Sequence, residues 1–191
     1  MRPNDARHYA LNIVVGVAAL VAPALHSLTD AMEWQQDGFS TLQLWLNYVA
    51  FLPMPWLLLG LYAVHDPRPN AVGLVGALLY GAAFTYFAHT TLYAIAESVP
   101  SYEALWSRLG GLYTLHGAFM VVGGLLFAGA AFRQAWLPRG ALLLFGAGLL
   151  WNLVLALIPA PDILQTVGSA ARNIGLIAMG YAVLADARRA A

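Results

Sequence analysis

Six long apolar runs follow one another along this 191-residue chain, separated by short connections. An α-helix needs about 18 to 20 apolar residues to cross the hydrocarbon core of a bilayer, and each run meets that length closely. Charged residues make up only 9% of the chain, whereas about 25% is usual in soluble domains. The sequence therefore predicts a single domain, residues 1–191, folded as an all-α integral membrane protein with a compact bundle of six transmembrane helices. The predicted spans are Tyr9 to Leu28, Thr41 to Val64, Ala71 to Ala96, Gly110 to Phe132, Gly140 to Ile158 and Ile163 to Ala185.

The arginines near the span ends predict how the bundle is oriented. If successive spans alternate in direction, these arginines fall on one side, which the positive-inside rule assigns to the cytoplasm. They are Arg2, Arg7, Arg68, Arg133, Arg139, Arg188 and Arg189. Both termini are therefore expected to be cytoplasmic, with the chain in the cell inner membrane. The first span lacks a small-x-small cleavage pattern and is followed by further spans, so we expect a retained helix rather than a signal peptide.

Two prolines interrupt the second span near its middle. Pro53 and Pro55, in the segment Phe51-Leu-Pro-Met-Pro-Trp56, have no backbone N–H and cannot complete the helical hydrogen bonds. The sequence therefore predicts a break or kink in this span.

The composition excludes several kinds of site. The chain has no cysteine, so disulfides, thiolate metal sites, iron–sulfur clusters and cysteine nucleophiles are ruled out. It has no lysine within a span, which rules out a retinal Schiff base. A formal net charge of zero gives no reason to expect a nucleic-acid partner.

The third span carries a polar stripe. Tyr86, His89, Tyr93 and Glu97 are spaced at i, i+3, i+7 and i+11, so they share one face of a helix. A stripe of this kind is costly when it faces lipid. We therefore expect this face to point inward, toward other helices or a cavity.

Polar side chains occur in the same half of every predicted span, the extracytoplasmic half. Arg172 is the most informative, because an arginine near the bilayer centre costs roughly 2.5 to 3.5 kcal/mol on the insertion scale and needs compensation. Glu97, backbone carbonyls or water are the expected partners, with Asp30 or Glu33 reaching it only if the first loop folds inward. The sequence predicts that these side chains line one aromatic-walled pocket.

The favoured interpretation of this pocket is acid–base chemistry on a lipophilic small molecule such as an isoprenoid, a sterol-like compound or a quinone. Imidazoles exchange protons near neutral pH, and a fixed cation stabilises developing negative charge. An isomerase or cyclase would use Glu33 or Glu97 as the acid and His89 or His116 as the base. The predicted catalytic residues are Glu33, His89, Glu97, His116 and Arg172. The predicted substrate-binding residues are His26, Asp30, Asn47, Tyr93, Tyr113, Trp151, Asn152 and Asn173.

Other interpretations stay open at this point. No resident cofactor is predicted, but His89 and His116 on neighbouring helices could ligate haem b. His26 could join them to bind zinc or copper. An anion carrier built around Arg172 and an accessory subunit of a larger membrane complex also fit the pattern. The expected partners are the lipid bilayer and a lipophilic small molecule, and a homo-oligomer is left open.

Overall fold

The computed structural model describes residues 3–65, 70–158 and 161–190, and every regular element in these ranges is an α-helix. The all-α prediction is confirmed for this part of the chain. Arg2 and Arg68, which the orientation prediction uses, lie outside the described residues. The helices are α1 (Pro3–Gln36), α2 (Thr41–Phe51), α3 (Met54–Ala63), α4 (Ala71–Ala96), α5 (Tyr102–Leu109), α6 (Gly111–Gln134), α7 (Arg139–Leu155) and α8 (Asp162–Ala190).

Within the described ranges, five helical segments are long and apolar enough to cross a membrane when α2 and α3 are taken together as Thr41–Ala63. The other four are formed by α1, α4, α6 and α8. α7 is also apolar but has only 17 residues, which at about 1.5 Å per residue is just under the thickness of a hydrocarbon core. These lengths support a membrane-embedded helical bundle.

The second predicted span is broken at its prolines, as the sequence predicts. α2 ends at Phe51 and α3 begins at Met54. The break packs tightly on α4, because a Cβ atom added to Gly81 would lie 2.7 Å from the Pro55 carbonyl oxygen. The backbone of α4 therefore fills the space beside the break.

Small residues set the closest helix crossings. α4 and α6 meet at Gly76 and Gly123, where a Cβ atom on Gly76 would lie 2.6 Å from the Gly123 carbonyl oxygen. α7 meets α8 at Gly148, where a side chain would collide with the backbone nitrogen of Arg172. Close approach through small residues is the usual way in which membrane helices pack. The second crossing fixes the position of Arg172 inside the bundle.

The apolar core has two parts. The larger cluster runs through the middle of the bundle and contains the buried rings of Phe51, Tyr80, Phe84 and Phe145. A smaller cluster lies where α5 covers the bundle, and it is built from Leu44, Ala94, Val99 and Leu105. We call this the α5 end of the bundle. The α1–α2 connection is at the same end, since the Phe39 N–H donates a hydrogen bond of 2.8 Å to the Pro100 carbonyl just before α5.

Candidate functional site

Arg172 lies inside the bundle, with only 2% of its surface exposed. Its neighbour Asn173 is completely buried. Both belong to α8, whose inward face also carries Gly168, Gly175 and Leu176. The inward orientation expected for Arg172 agrees with this burial.

The Arg172 guanidinium contacts side chains from four helices. Its Nε and Nη2 atoms donate to Asn173 Oδ1, each at 3.2 Å. Its Nη2 atom also lies 3.1 Å from His26 Nδ1 on α1, and its Nη1 atom lies 3.1 Å from the sulfur of Met120 on α6. The guanidinium carbon is 5.8 Å from the centre of the Phe84 ring, a distance typical of a cation–π contact.

The carboxylate of Asp30 provides the negative charge that compensates Arg172, and the His26 ring lies between the two groups. His26 Nε2 lies 3.3 Å from Asp30 Oδ1, one turn further along α1, and both side chains are buried. α1 continues as a helix to Gln36, so Asp30 faces the interior without any folding-in of the first loop. Glu97, one of the expected partners, is exposed at the C-terminal end of α4 and is not among the contacts found for Arg172.

These contacts define which nitrogen of His26 carries a proton. An arginine can only donate hydrogen bonds, so His26 Nδ1 must accept from Arg172. The ring proton is then on Nε2, where it faces the Asp30 carboxylate. His26 is therefore assigned as a neutral imidazole that connects a buried cation to a buried anion.

Further hydrogen bonds extend this arrangement to other helices. Asn173 Nδ2 donates to Ser27 Oγ at 3.0 Å, and Thr29 Oγ1 donates to Asn47 Oδ1 on α2 at 3.1 Å. We call His26, Asp30, Arg172 and Asn173, with Ser27, Thr29 and Asn47, the buried polar network. Five residues predicted from the sequence meet in this network: His26, Asp30, Asn47, Arg172 and Asn173.

A small cavity adjoins the network at Asn47. The space open to the centre of a water molecule is about 10 Å³, which is room for about one water molecule. Five of the eleven described lining residues are aromatic, and none of the eleven is charged. It is much smaller than the pocket expected from the sequence. The lining includes Phe39, Asn47, Phe51, Phe87, Tyr102 and Tyr113.

The polar stripe of α4 faces away from the interior, contrary to the prediction. His89 and Glu97 are exposed, and 37% of the surface of Tyr93 is exposed. The opposite face of α4 is buried instead, through Gly76 and the rings of Tyr80 and Phe84. This face is the buried one because it combines a close backbone approach at Gly76 with the large rings of Tyr80 and Phe84. His89 Nδ1 is satisfied within its own helix by the Thr85 carbonyl at 2.8 Å.

His116 is buried, as expected, but it lies among aromatic rings. Its ring centre is 4.2 Å from that of Phe87, 4.7 Å from that of Tyr113 and 4.9 Å from that of Tyr86. Its Nδ1 atom lies 2.8 Å from the Leu112 carbonyl oxygen. Nε2 has no hydrogen-bond partner among the described residues. Haem ligation by His89 and His116 stays a prediction.

Two further predicted residues, Trp151 and Asn152, lie on α7 and contact α8. Asn152 Nδ2 donates to Ser169 Oγ at 3.1 Å, and Trp151 Nε1 donates to the Leu164 carbonyl at 2.9 Å. Both bonds join α7 to α8. Trp151 is largely exposed, and Glu33 is partly buried in the last turn of α1. In the described ranges, no group of three or more histidine, aspartate or glutamate side chains is arranged to hold a metal ion.

Sequence reasoning missed several members of the site. Ser27 and Thr29 lie between predicted residues of the first span, so their positions within the run His26 to Asp30 could have indicated them. Gln43 is one helical turn from Asn47 and is fully buried, with no side-chain hydrogen bond to any described residue. Met120 carries no polar signal in the sequence, although its sulfur lies against Arg172.

Comparisons of the chain with protein-family models, curated proteins and solved structures found no match. The chemistry of the buried polar network is therefore the basis for assigning a function.

Proposed function

We propose that this chain is a membrane-embedded acid–base enzyme that acts on a lipophilic small molecule. Asp30, His26 and Arg172 are its reactive groups. The observation that carries the proposal is the single line of contacts from Arg172 through the His26 ring to Asp30, at 3.1 Å and 3.3 Å. We further propose six membrane crossings, with α7 as the short one, and cytoplasmic termini in the cell membrane.

The arrangement is suited to moving a proton. Asp30 Oδ1 faces the His26 ring, while Oδ2 has no hydrogen-bond partner among the described residues. A carboxylate in this position can take a proton from one atom of a substrate and return it to another, as an isomerase does. The His26 N–H and the Arg172 charge stabilise the ionised carboxylate between these two steps.

The proposed acid–base residues differ from those predicted from the sequence. Asp30 and His26 take the roles predicted for Glu33 or Glu97 and for His89 or His116. Glu97 and His89 are exposed on α4, and His116 lies among aromatic rings. Arg172 keeps its predicted role as the fixed cation. None of the three proposed reactive residues is among the described residues that line the small cavity, but Asn47 does line it and accepts a hydrogen bond from Thr29, the residue before Asp30.

Stability alone does not explain why these groups are charged. Replacing a buried ion pair by well-packed apolar residues is often neutral or stabilising. Exchanging Arg172 and Asp30 together for well-packed apolar residues could therefore leave the fold intact, whereas removing only one of the two charges would not. A buried charged set that the fold does not require favours a chemical role.

The proposal is tested by identifying what the protein holds and changes. The full chain is purified in mild detergent, and the retained molecules are extracted and analysed by mass spectrometry. Asp30→Asn keeps the size of the side chain but removes its charge, and it should lower conversion of the retained molecule by about 10² to 10⁴-fold. Asp37→Asn is the matched control, since Asp37 is exposed just after α1. Equal conversion by the two variants, or no retained lipophilic molecule in the unaltered protein, would contradict the proposal.

A further inference from the structure

The short helix α5 covers the cavity beside Asn47. Its residues Tyr102 and Leu105 line that cavity. Leu105 is buried, whereas Trp106 and Arg108 on the same helix are exposed. α5 therefore lies with one side on the cavity and the other side outside the bundle.

α5 packs on the rest of the bundle through the smaller apolar cluster. Leu105 belongs to this cluster together with Leu44, Ala94 and Val99. The larger core does not include any of these residues. Moving α5 would thus expose a few apolar side chains at the α5 end without opening the main core, as is typical of regions that open locally.

Residues with unusual backbone angles flank α5 on both sides. Ser98 precedes it with a φ of 49°, and Gly110 follows it with a φ of 53°. A Cβ atom on Gly110 or Gly111 would have no neighbour within 4 Å. Hinges are commonly a few residues at element ends that absorb backbone rotation, and both ends of α5 have this character.

The α1–α2 connection holds α5 in place. The Phe39 N–H donates to the Pro100 carbonyl at 2.8 Å. The Phe39 and Tyr102 rings meet edge to face, with centres 4.9 Å apart. Both contacts lie at the N-terminal side of α5.

We infer that α5 is a lid over a binding site for a neutral, flat lipophilic molecule, whose polar group hydrogen-bonds to Asn47. The closed cavity has room for about one water molecule, so a ligand needs α5 to move. The aromatic wall favours a planar ring system. Charged ligands are disfavoured because none of the described lining residues carries a charge. The identity of this cavity as the substrate site rests on the proposed function, whereas the movement of α5 does not.

The movement of α5 can be tested cleanly because the natural chain contains no cysteine. Thr91 lines the cavity and is buried, so a Thr91→Cys variant reports on opening. N-ethylmaleimide should label this cysteine in the folded protein in detergent. The cysteine-free parent controls for labelling at other groups. If Thr91→Cys is labelled only after the protein unfolds, the inference that α5 opens is contradicted.

The ligand class is tested with 2-naphthol, a neutral flat molecule, and with 2-naphthalenesulfonate, its anionic counterpart. The parent protein should bind 2-naphthol at least about tenfold more tightly, a difference of about 1.4 kcal/mol. Asn47→Leu should weaken 2-naphthol binding by about tenfold through loss of one hydrogen bond. Equal binding of both probes, or no binding of either one, would overturn the assigned ligand class.

Labelling in the presence of the probe joins the two tests. Saturating 2-naphthol should slow the reaction of Thr91→Cys with N-ethylmaleimide, because the ligand would occupy the cavity that Thr91 lines. Equal labelling rates with and without 2-naphthol would place the probe outside this cavity and contradict the assigned site. If labelling shows that α5 opens but Asp30→Asn converts the retained molecule normally, the proposed function is contradicted and the movement of α5 is still supported.

Discussion

His26 Nδ1 lies 3.1 Å from the Nη2 atom of Arg172, although the two residues are 146 positions apart in the chain. This contact joins the first helix to the last one. With Asp30 on the other side of the imidazole, it makes a buried line of cation, neutral ring and anion. The proposed chemistry and several measurable properties depend on this line.

Removing the Arg172 charge should destabilise the protein strongly. Arg172→Gln leaves the Asp30 carboxylate buried without a cation, and loss of one partner of a buried pair typically costs about 3 to 5 kcal/mol. Adding Asp30→Asn to this variant should recover part of the loss, since no buried charge is then left over. Thermal unfolding in detergent measures both effects.

The control for this prediction is a surface pair. Arg189 Nη1 lies 3.3 Å from Asp186 Oδ1, and both side chains are exposed. Arg189→Gln should therefore leave the unfolding temperature unchanged. If Arg172→Gln is equally harmless, the buried network does not hold α1 and α8 together.

The crossing of α7 and α8 at Gly148 should be intolerant of a side chain. Gly148→Ala places a methyl group against the backbone of Arg172, and overpacking of this kind typically costs about 1 to 3 kcal/mol. Gly140→Ala is the matched control on the same helix, because its Cβ atom would meet nothing within 4 Å. The control should be neutral or slightly stabilising. Thermal unfolding compares the two, and equal unfolding temperatures would be inconsistent with the close crossing.

Replacing Ser98 with glycine should increase the stability of the protein. It follows the end of α4 with a φ of 49°, while the Val99 N–H donates to the Ala94 carbonyl at 2.9 Å. This is the Schellman arrangement, in which glycine is preferred at the left-handed position. Ser98→Gly should therefore stabilise the protein by about 0.5 to 1 kcal/mol.

Ser107 provides a control for which the expected change in stability has the opposite sign, because this residue is exposed within α5 and has helical geometry. Ser107→Gly should be destabilising by about 0.5 kcal/mol, following helix propensity. A shift of the same sign for both variants in thermal unfolding would contradict the backbone argument for Ser98.

The proposed topology predicts which side of the membrane each connection faces. A Ser107→Cys variant on α5 should react with a membrane-impermeant maleimide in intact cells. Gln134→Cys, exposed at the end of α6, should react only in inverted vesicles. Reaction of both cysteines from the same side would show that α6 does not cross the membrane. The reverse pattern would show that the orientation is inverted.

The helical bundle could be predicted from the sequence because the lipid environment requires long apolar runs. The break at Pro53 and Pro55 was predictable for the same elementary reason, the missing backbone N–H. α5 was not predictable in this way, since an eight-residue helix with polar and apolar sides does not form an apolar run. The extension of α1 to Gln36 was also missed, because its last turns are polar.

The site was predictable in part. The charge of a lone arginine in an apolar span must be compensated inside the protein. His26, Asn173 and Asp30 provide this compensation for Arg172. The spacing of His89, Tyr93 and Glu97 shows that they share a face, but it does not show which way that face points. Burial of Tyr80 and Phe84 decided the orientation of α4, and such competition between faces depends on neighbouring helices that a local pattern does not include.

The most direct test of the account is the protonation of His26 in the folded protein. Nitrogen-15 chemical shifts of the labelled ring distinguish protonated from unprotonated nitrogens. We expect a neutral His26 with the proton on Nε2 and a free Nδ1, and we expect this preference to weaken in Asp30→Asn. A proton on Nδ1, or on both nitrogens, would contradict the proposed bridge between Arg172 and Asp30.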